Sequence, residues 1–186
     1  MNTQAHARER ADHWSRQAED DPGSARARFN LGLAYTDMGR VNDAEKAYLA
    51  ALELEPDLVE AWVNLGGVRL LKWDFAGCLE ATREAVARRE DLVIAHFNMG
   101  QAYLYLGKAD ELVACNRRAL ELDPRHAAAH YFLAVGLLAT GDAAQARVEL
   151  SQAMRLGHQP STDFLKALER AEAAVQPAVP VLEIGQ

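Results

Sequence analysis

The chain is poor in cysteine and in β-branched residues, short of positive charge, and without a long apolar run. Each shortage excludes something. Its two cysteines, Cys78 and Cys115, lie in separate segments and form no CxxC pair, so neither a disulfide framework nor a zinc site is expected. Lys and Arg number 20 against 27 Asp and Glu, a formal charge of −7. A phosphate backbone calls for clustered cations, so nucleic acid is not an expected partner. No window approaches the ~18 uninterrupted apolar residues of a membrane span, and no membrane insertion is expected. The stretch from Met1 to Arg10 lacks the apolar run of a signal peptide, which makes a cytoplasmic protein the expectation. Phosphate-cradling glycine loops, nucleophile elbows and paired carboxylates in a cleft are also missing. No catalytic residue, metal or cofactor is therefore expected.

What is present is a helix-forming composition dominated by Ala, Leu, Glu and Arg, arranged with a period. Leu31-Gly32-Leu33-Ala34-Tyr35 aligns with Leu65-Gly66-Gly67-Val68-Arg69, with Met99-Gly100-Gln101-Ala102-Tyr103 and with Leu133-Ala134-Val135-Gly136-Leu137, each step being 34 residues. Ala51, Ala85, Ala119 and Ala153 fall in one register, as do Pro56 and Pro124. Gly39, Gly107 and Gly141 mark a turn inside three units. One unit therefore reads as a helix, a turn whose glycine can take the left-handed cap, a second helix and a short link. A small residue at the eighth position lets the two helices approach closely. Such a unit cannot bury its own apolar face, so units must stack.

The pattern resembles the tetratricopeptide repeat (TPR) family. The unit 25–58 carries Leu31, Gly32, Tyr35, Ala44, Tyr48, Ala51 and Pro56 of the family's pattern, with Arg28 where Trp is usual. The unit 59–92 keeps Trp62, Leu65, Gly66 and Ala85; 93–126 keeps Gly100, Tyr103, Ala119 and Pro124; 127–160 keeps Leu133, Ala146 and Ala153. The resemblance implies an all-α, right-handed solenoid of helix-turn-helix units. Thr3 to Asp20 reads as a helix with Ala7, Ala11, Trp14 and Ala18 on one face, so 1–24 is expected as an N-terminal capping helix and link. Ser161 is a good N-cap for a second capping helix, 161–175, with Phe164, Leu168, Ala171 and Val175 in a stripe. Residues 176–186, with Pro177 and Pro180, are expected as an extended tail.

The family binds its ligands on a concave face lined by the first helix of each unit. Carried over position by position, this implies a peptide-binding set of Phe29, Asn30 and Leu33; Val63, Asn64 and Gly67; Phe97, Asn98, Gln101 and Tyr105; and Tyr131 and Val135. Thr36, Leu70, Ile94, Phe132 and Leu138 complete a lining that is nearly uncharged. Asn30, Asn64 and Asn98 recur in phase: either an amide ladder for a peptide backbone or simply a residue common at this position. The cationic clamp that holds acidic chaperone termini does not fit, because its positions carry Phe29, Leu33, Ile94 and Asn98, and only Asn64 matches.

The expected partner is thus an extended, apolar protein or peptide segment, and the expected role an adaptor. The rivals are a self-assembling scaffold and a small TPR chaperone for a secreted protein, though the latter typically has three repeats. The tail is itself a candidate occupant, in its own groove or a neighbour's, against a surface-packed end. His126 and His130 have ligand spacing on a helix, but His96 and His130 occupy the Trp62 position, which favours packing over metal. Cys78 and Cys115 read as small apolar residues rather than nucleophiles. Trp73 stands where a turn glycine is expected, either as a lid on the core or as an exposed anchor.

Overall fold

A computed structural model describes residues 3–175; the tail at 176–186 lies outside the described residues. Ten helices follow one another among the described residues, with no strand: α1 (Thr3–Asp20), α2 (Ala25–Asp37), α3 (Val41–Leu54), α4 (Val59–Leu71), α5 (Phe75–Arg88), α6 (Val93–Tyr105), α7 (Ala109–Leu122), α8 (Ala127–Ala139), α9 (Ala143–Arg155) and α10 (Thr162–Val175). Each helix packs on the next along the chain from α1 to α10, and the first helices of successive units also touch, α4 on α6 and α6 on α8. The architecture is the expected all-helical repeat stack.

The second helices are amphipathic in the simplest sense. In α3, Ala44, Ala47, Tyr48, Ala51 and Leu52 are buried, the i, i+3, i+4, i+7, i+8 stripe of a helix lying on a core. Close pairing within a unit rests on the eighth position. A Cβ at Gly32 would fall 2.5 Å from the Tyr48 ring, at Gly66 2.6 Å from Thr82, and at Gly100 2.5 Å from Asn116.

All four turns close in the same way. The N–H of Arg40, Asp74, Lys108 and Asp142 each donates to the carbonyl five residues earlier, at 2.8–2.9 Å. That bond needs a left-handed residue just before the donor. Gly39, Gly107 and Gly141 supply it with φ of 70°, 69° and 90°, and in the second unit Trp73 takes it with φ 62°.

The links between units are closed by side chains. Trp62 Nε1 donates to the Pro56 carbonyl at 2.8 Å, and Arg28 Nη2 donates to that of Pro22 at 2.6 Å. His96 Nε2 faces the Glu90 carbonyl and His130 Nε2 that of Pro124, each at 3.1 Å. Every one of these bonds spans six residues from the same repeat position, so Arg28 makes the bond that Trp62 makes one unit later.

At the ends, Ala7 and Ala11 of α1 are buried against the stack, with Trp14 and Ala18 half-buried. The Ser161 hydroxyl accepts from the Phe164 N–H at 3.2 Å, as an N-cap should. Leu168 is fully buried in a cluster with Val113, Leu133, Leu137 and Leu150, and Phe164, Leu165 and Ala171 pack on the same cluster. Glu172 accepts two bonds from Arg147 of α9, at 2.8 and 2.5 Å.

Candidate functional site

The face lined by α2, α4, α6 and α8 holds the predicted binding residues, but not all are equally placed. Val63 and Asn64 line a cavity of about 260 Å³ with Leu92, Val93 and Ile94, and Ile94 is exposed. Glu60, Arg89 and Asp91 also line it, so this part of the face carries charge that the sequence pattern did not anticipate. The reason is local: link residues 89–91 come alongside α4, where Arg89 pairs with Glu60 at 3.2 Å. Asn64 donates its amide to the Glu60 carbonyl one turn earlier, at 2.7 Å, and keeps its oxygen as the acceptor side.

Asn98, its repeat partner, is only 8% exposed and lies over Gly67, where a Cβ would sit 3.6 Å from its amide nitrogen. Asn30 and Gln101 are half-buried. Asn98 is thus buried, whereas Asn30 and Asn64, at the same phase, are half-buried.

The apolar members divide in the same manner. Phe97 sits between His126, at 4.6 Å between centroids, and Phe132, at 5.7 Å. Phe29 and Leu33 pack partly into the core of the first two units, and Val135 into that of the third. Tyr131 stacks on His158 at 4.3 Å and meets Phe164 of α10 edge-on at 5.3 Å, so the C-terminal helix shares it. Tyr105, at the last position of α6, is 53% exposed and stacks on Phe75 at 4.8 Å with only 8° between planes. It belongs to the turn edge of the stack, away from Val63 and Asn64.

The remaining chemistry is engaged in packing. His126 accepts from the Ala129 N–H through Nδ1 at 3.1 Å as the cap of α8. His130 faces Pro124 with one nitrogen and Glu149, at 2.6 Å, with the other. Burial pushes the Cys78 thiol up to about 12, with Asp74 adding to it, and burial pushes Cys115 up to about 11. Neither is a thiolate at neutral pH. Among the described residues no cluster of His, Cys, Asp and Glu could hold a metal, and no helix is long and apolar enough to cross a membrane.

Two features escaped the sequence reading. One is the shared donor role of Arg28, Trp62, His96 and His130, which a search for a recurring N–H rather than a recurring aromatic would have found. The other is the cluster of Trp73, Phe75 and Tyr105, three aromatics from different helix ends that only the packing of α4, α5 and α6 brings together.

Comparison with known proteins gives a consistent family. Models of the tetratricopeptide repeat match residues 25–58 and 97–157, together just over half of the chain. Among solved structures, the crystal structure of MamA superposes with a TM-score of 0.74 at 19% identity, covering 78% of this chain and 85% of that one. YrrB, described as a TPR protein with an unusual peptide-binding site, has a TM-score of 0.72 at 22% identity, covering 90% and 84%. TTC0263, a thermophilic TPR protein of Thermus thermophilus, has a TM-score of 0.64 at 18% identity, covering 91% and 94%. These likenesses establish the fold. A curated relative, the human protein O-mannosyl-transferase TMTC3, is 25% identical over an alignment of 129 residues that covers 61% of this chain but only 14% of that protein.

Proposed function

The chain belongs to the tetratricopeptide-repeat family, and from that premise we propose that it is an adaptor holding an extended, apolar polypeptide segment along its first-helix face. Tetratricopeptide repeats mediate protein–protein interaction; the finer reading is ours. It has the chain bind rather than transform its partner, in a cytoplasmic setting.

The observation that carries the reading is the cavity between α4 and α6, where the Asn64 amide stands beside the exposed Ile94 and the half-buried Val63. Asn64 offers its oxygen to a backbone N–H, while Val63 and Ile94 remove alkyl groups from water. Asn30 and Gln101 extend the amide contacts; Phe29, Leu33, Gly67, Phe97, Tyr131 and Val135 supply the apolar wall. Asn98 contributes once a ligand displaces its cover over Gly67. A peptide-binding site in the similarly folded YrrB supports a binding role for such a stack, without locating it here.

Selection from a library of displayed extended peptides against the full chain tests this. Apolar sequences should be enriched. Asn64→Ala should weaken the selected peptides severalfold, as expected for a hydrogen bond worth ~0.5–1.5 kcal/mol. Ile94→Ser should add to the loss. Failure to enrich apolar peptides would overturn the apolar-segment reading, and equal binding to the double variant would place the site elsewhere. If the chain instead self-assembles as a scaffold, light scattering over a concentration series reports growing mass without any peptide.

A further inference from the structure

The turn after α4 departs from a rule that the other three turns keep. At Gly39, Gly107 and Gly141 the backbone is left-handed, and nothing lies within 4 Å of where a side chain would begin. A side chain is neither required nor obstructed there. The second unit nevertheless places Trp73 at that position, with φ 62°, in a conformation that L-residues avoid. Core burial does not offset the strain, because Trp73 is 70% exposed. Its ring meets Tyr105 at 5.2 Å and Phe75 at 6.0 Å, and these two are stacked on each other. Leu71 and Leu106, beside them in the chain, are 62% and 44% exposed. A strained, wet aromatic shelf at one of four equivalent positions is the mark of a surface kept for binding.

The direction of α10 indicates an occupant. Glu172, in its last turn, pairs with Arg147, near the start of α9. The end of α10 therefore lies at the turn edge, the same edge that carries Trp73 and Tyr105. The packed series α10 on α8, α8 on α6 and α6 on α4 sets the separation. At about 8–10 Å per helix pair, the shelf stands roughly 16–30 Å from the end of α10. Residues 176–186, at about 3.1 Å each in a polyproline path, span roughly 34 Å. Their sequence suits the distance: Pro177 to Pro180 take up the first ~16 Å of that path, and the apolar Val181, Leu182 and Ile184 fall at roughly 19–28 Å, where the shelf stands. The prolines pre-set the extended path, and the rings take up the apolar side chains that follow them.

We propose that the tail docks in cis on the Trp73–Phe75–Tyr105 shelf through Val181, Leu182 and Ile184, which makes the shelf a self-occupied site for an extended apolar segment. Tethering supplies the segment at an effective concentration around mM, so another protein's segment of the same chemistry must compete with it. The proposal is independent of the first-helix cavity.

The test is photo-cross-linking in the full chain, with a benzophenone amino acid replacing Val181 and the links mapped by mass spectrometry. Links within one chain to residues 71–75 and 104–106 are expected. Trp73→Gly should cut their yield by about tenfold, through loss of a packed aromatic contact. Its melting temperature should equal or exceed the parent's, since glycine relaxes the turn. Asn64→Ala should leave the links unchanged, which separates this idea from the groove reading. Links to Val63, Asn64, Ile94 or Phe97, links between two copies, or no preferred links at all would overturn it. A parent-level yield in Trp73→Gly would do the same. So would a fall of several degrees in that variant's melting temperature, which would assign Trp73 to stability instead.

Discussion

Arg28, Trp62, His96 and His130 stand 34 residues apart and share little chemistry except an N–H aimed at a carbonyl six residues earlier. That carbonyl lies in the link, past the end of the preceding helix, where the backbone has no partner of its own. Trp62→Phe keeps the ring and removes the donor, so its cost isolates the bond: about 0.5–1.5 kcal/mol in urea denaturation. An unchanged midpoint would mean that the ring and the overlying Arg88, at 5.4 Å, are all that matters. Asn116 is the opposite case, a polar residue in the wrong place. It is fully buried, donates to the Leu112 carbonyl at 2.9 Å, and leaves its side-chain oxygen without a partner among the described residues. Thr82 holds the same position one unit earlier and satisfies its hydroxyl on the Cys78 carbonyl at 2.7 Å. Asn116→Thr should therefore stabilise the chain by about 1 kcal/mol, read as a higher denaturation midpoint at unchanged slope. A lower midpoint would show that the amide is needed where it is.

Between elements, Glu45 joins the first two units. From α3 it accepts from Arg69 Nε of α4 at 3.2 Å and pairs with Lys72, while Arg69 also reaches the Gly77 carbonyl at 3.1 Å. Burial alone would raise the Glu45 carboxyl, but the Lys72 and Arg69 charges outweigh it and hold it below the usual carboxylate range. With the folded value depressed, the stabilisation is complete above the ordinary value of 4.5 and is lost as pH falls through the folded one. Glu45→Gln should cost roughly 1–3 kcal/mol at neutral pH. The gap to the parent should close in acid; a gap that persists there would make the role steric. Elements were the most legible level of this chain. The 34-residue phase and the small eighth-position residues announce helix pairs, because close approach leaves no other choice there. The capping stripe of α10 was equally plain, since Leu168 must be covered. The binding face was legible only as a list of positions. Exposure at Asn64, Asn98, Tyr105 and Tyr131 depends on what the next unit or α10 lays over each, and a position-by-position reading has no access to that. Trp73 stood out as a broken rule, but its partners Phe75 and Tyr105 lie two and 32 residues away, so the shelf itself could not be read.

At the scale of the whole molecule, stability is a chain of neighbour terms. Helices meet those next to them and one repeat away, and the apolar clusters follow in series: one centred on Tyr48 and Leu65, one on Cys78 and Leu112, one on Leu133, Leu150 and Leu168. A linear array of this kind can lose an end without losing the rest. Leu168→Ala is the probe, since that side chain is wholly buried and seals the last cluster. Its local cost should be about 2–5 kcal/mol. Hydrogen exchange should locate that cost: α8, α9 and α10 lose protection, α7 loses some through Val113, and α2 to α5 exchange as in the parent. The binding face divides along the same line, so a ligand held at Val63 and Asn64 should still bind the variant while the wall at Tyr131 loosens. Equal loss of protection in all ten helices would contradict this, and would mean that the stack folds as one cooperative block whose end cap governs the groove several helices away.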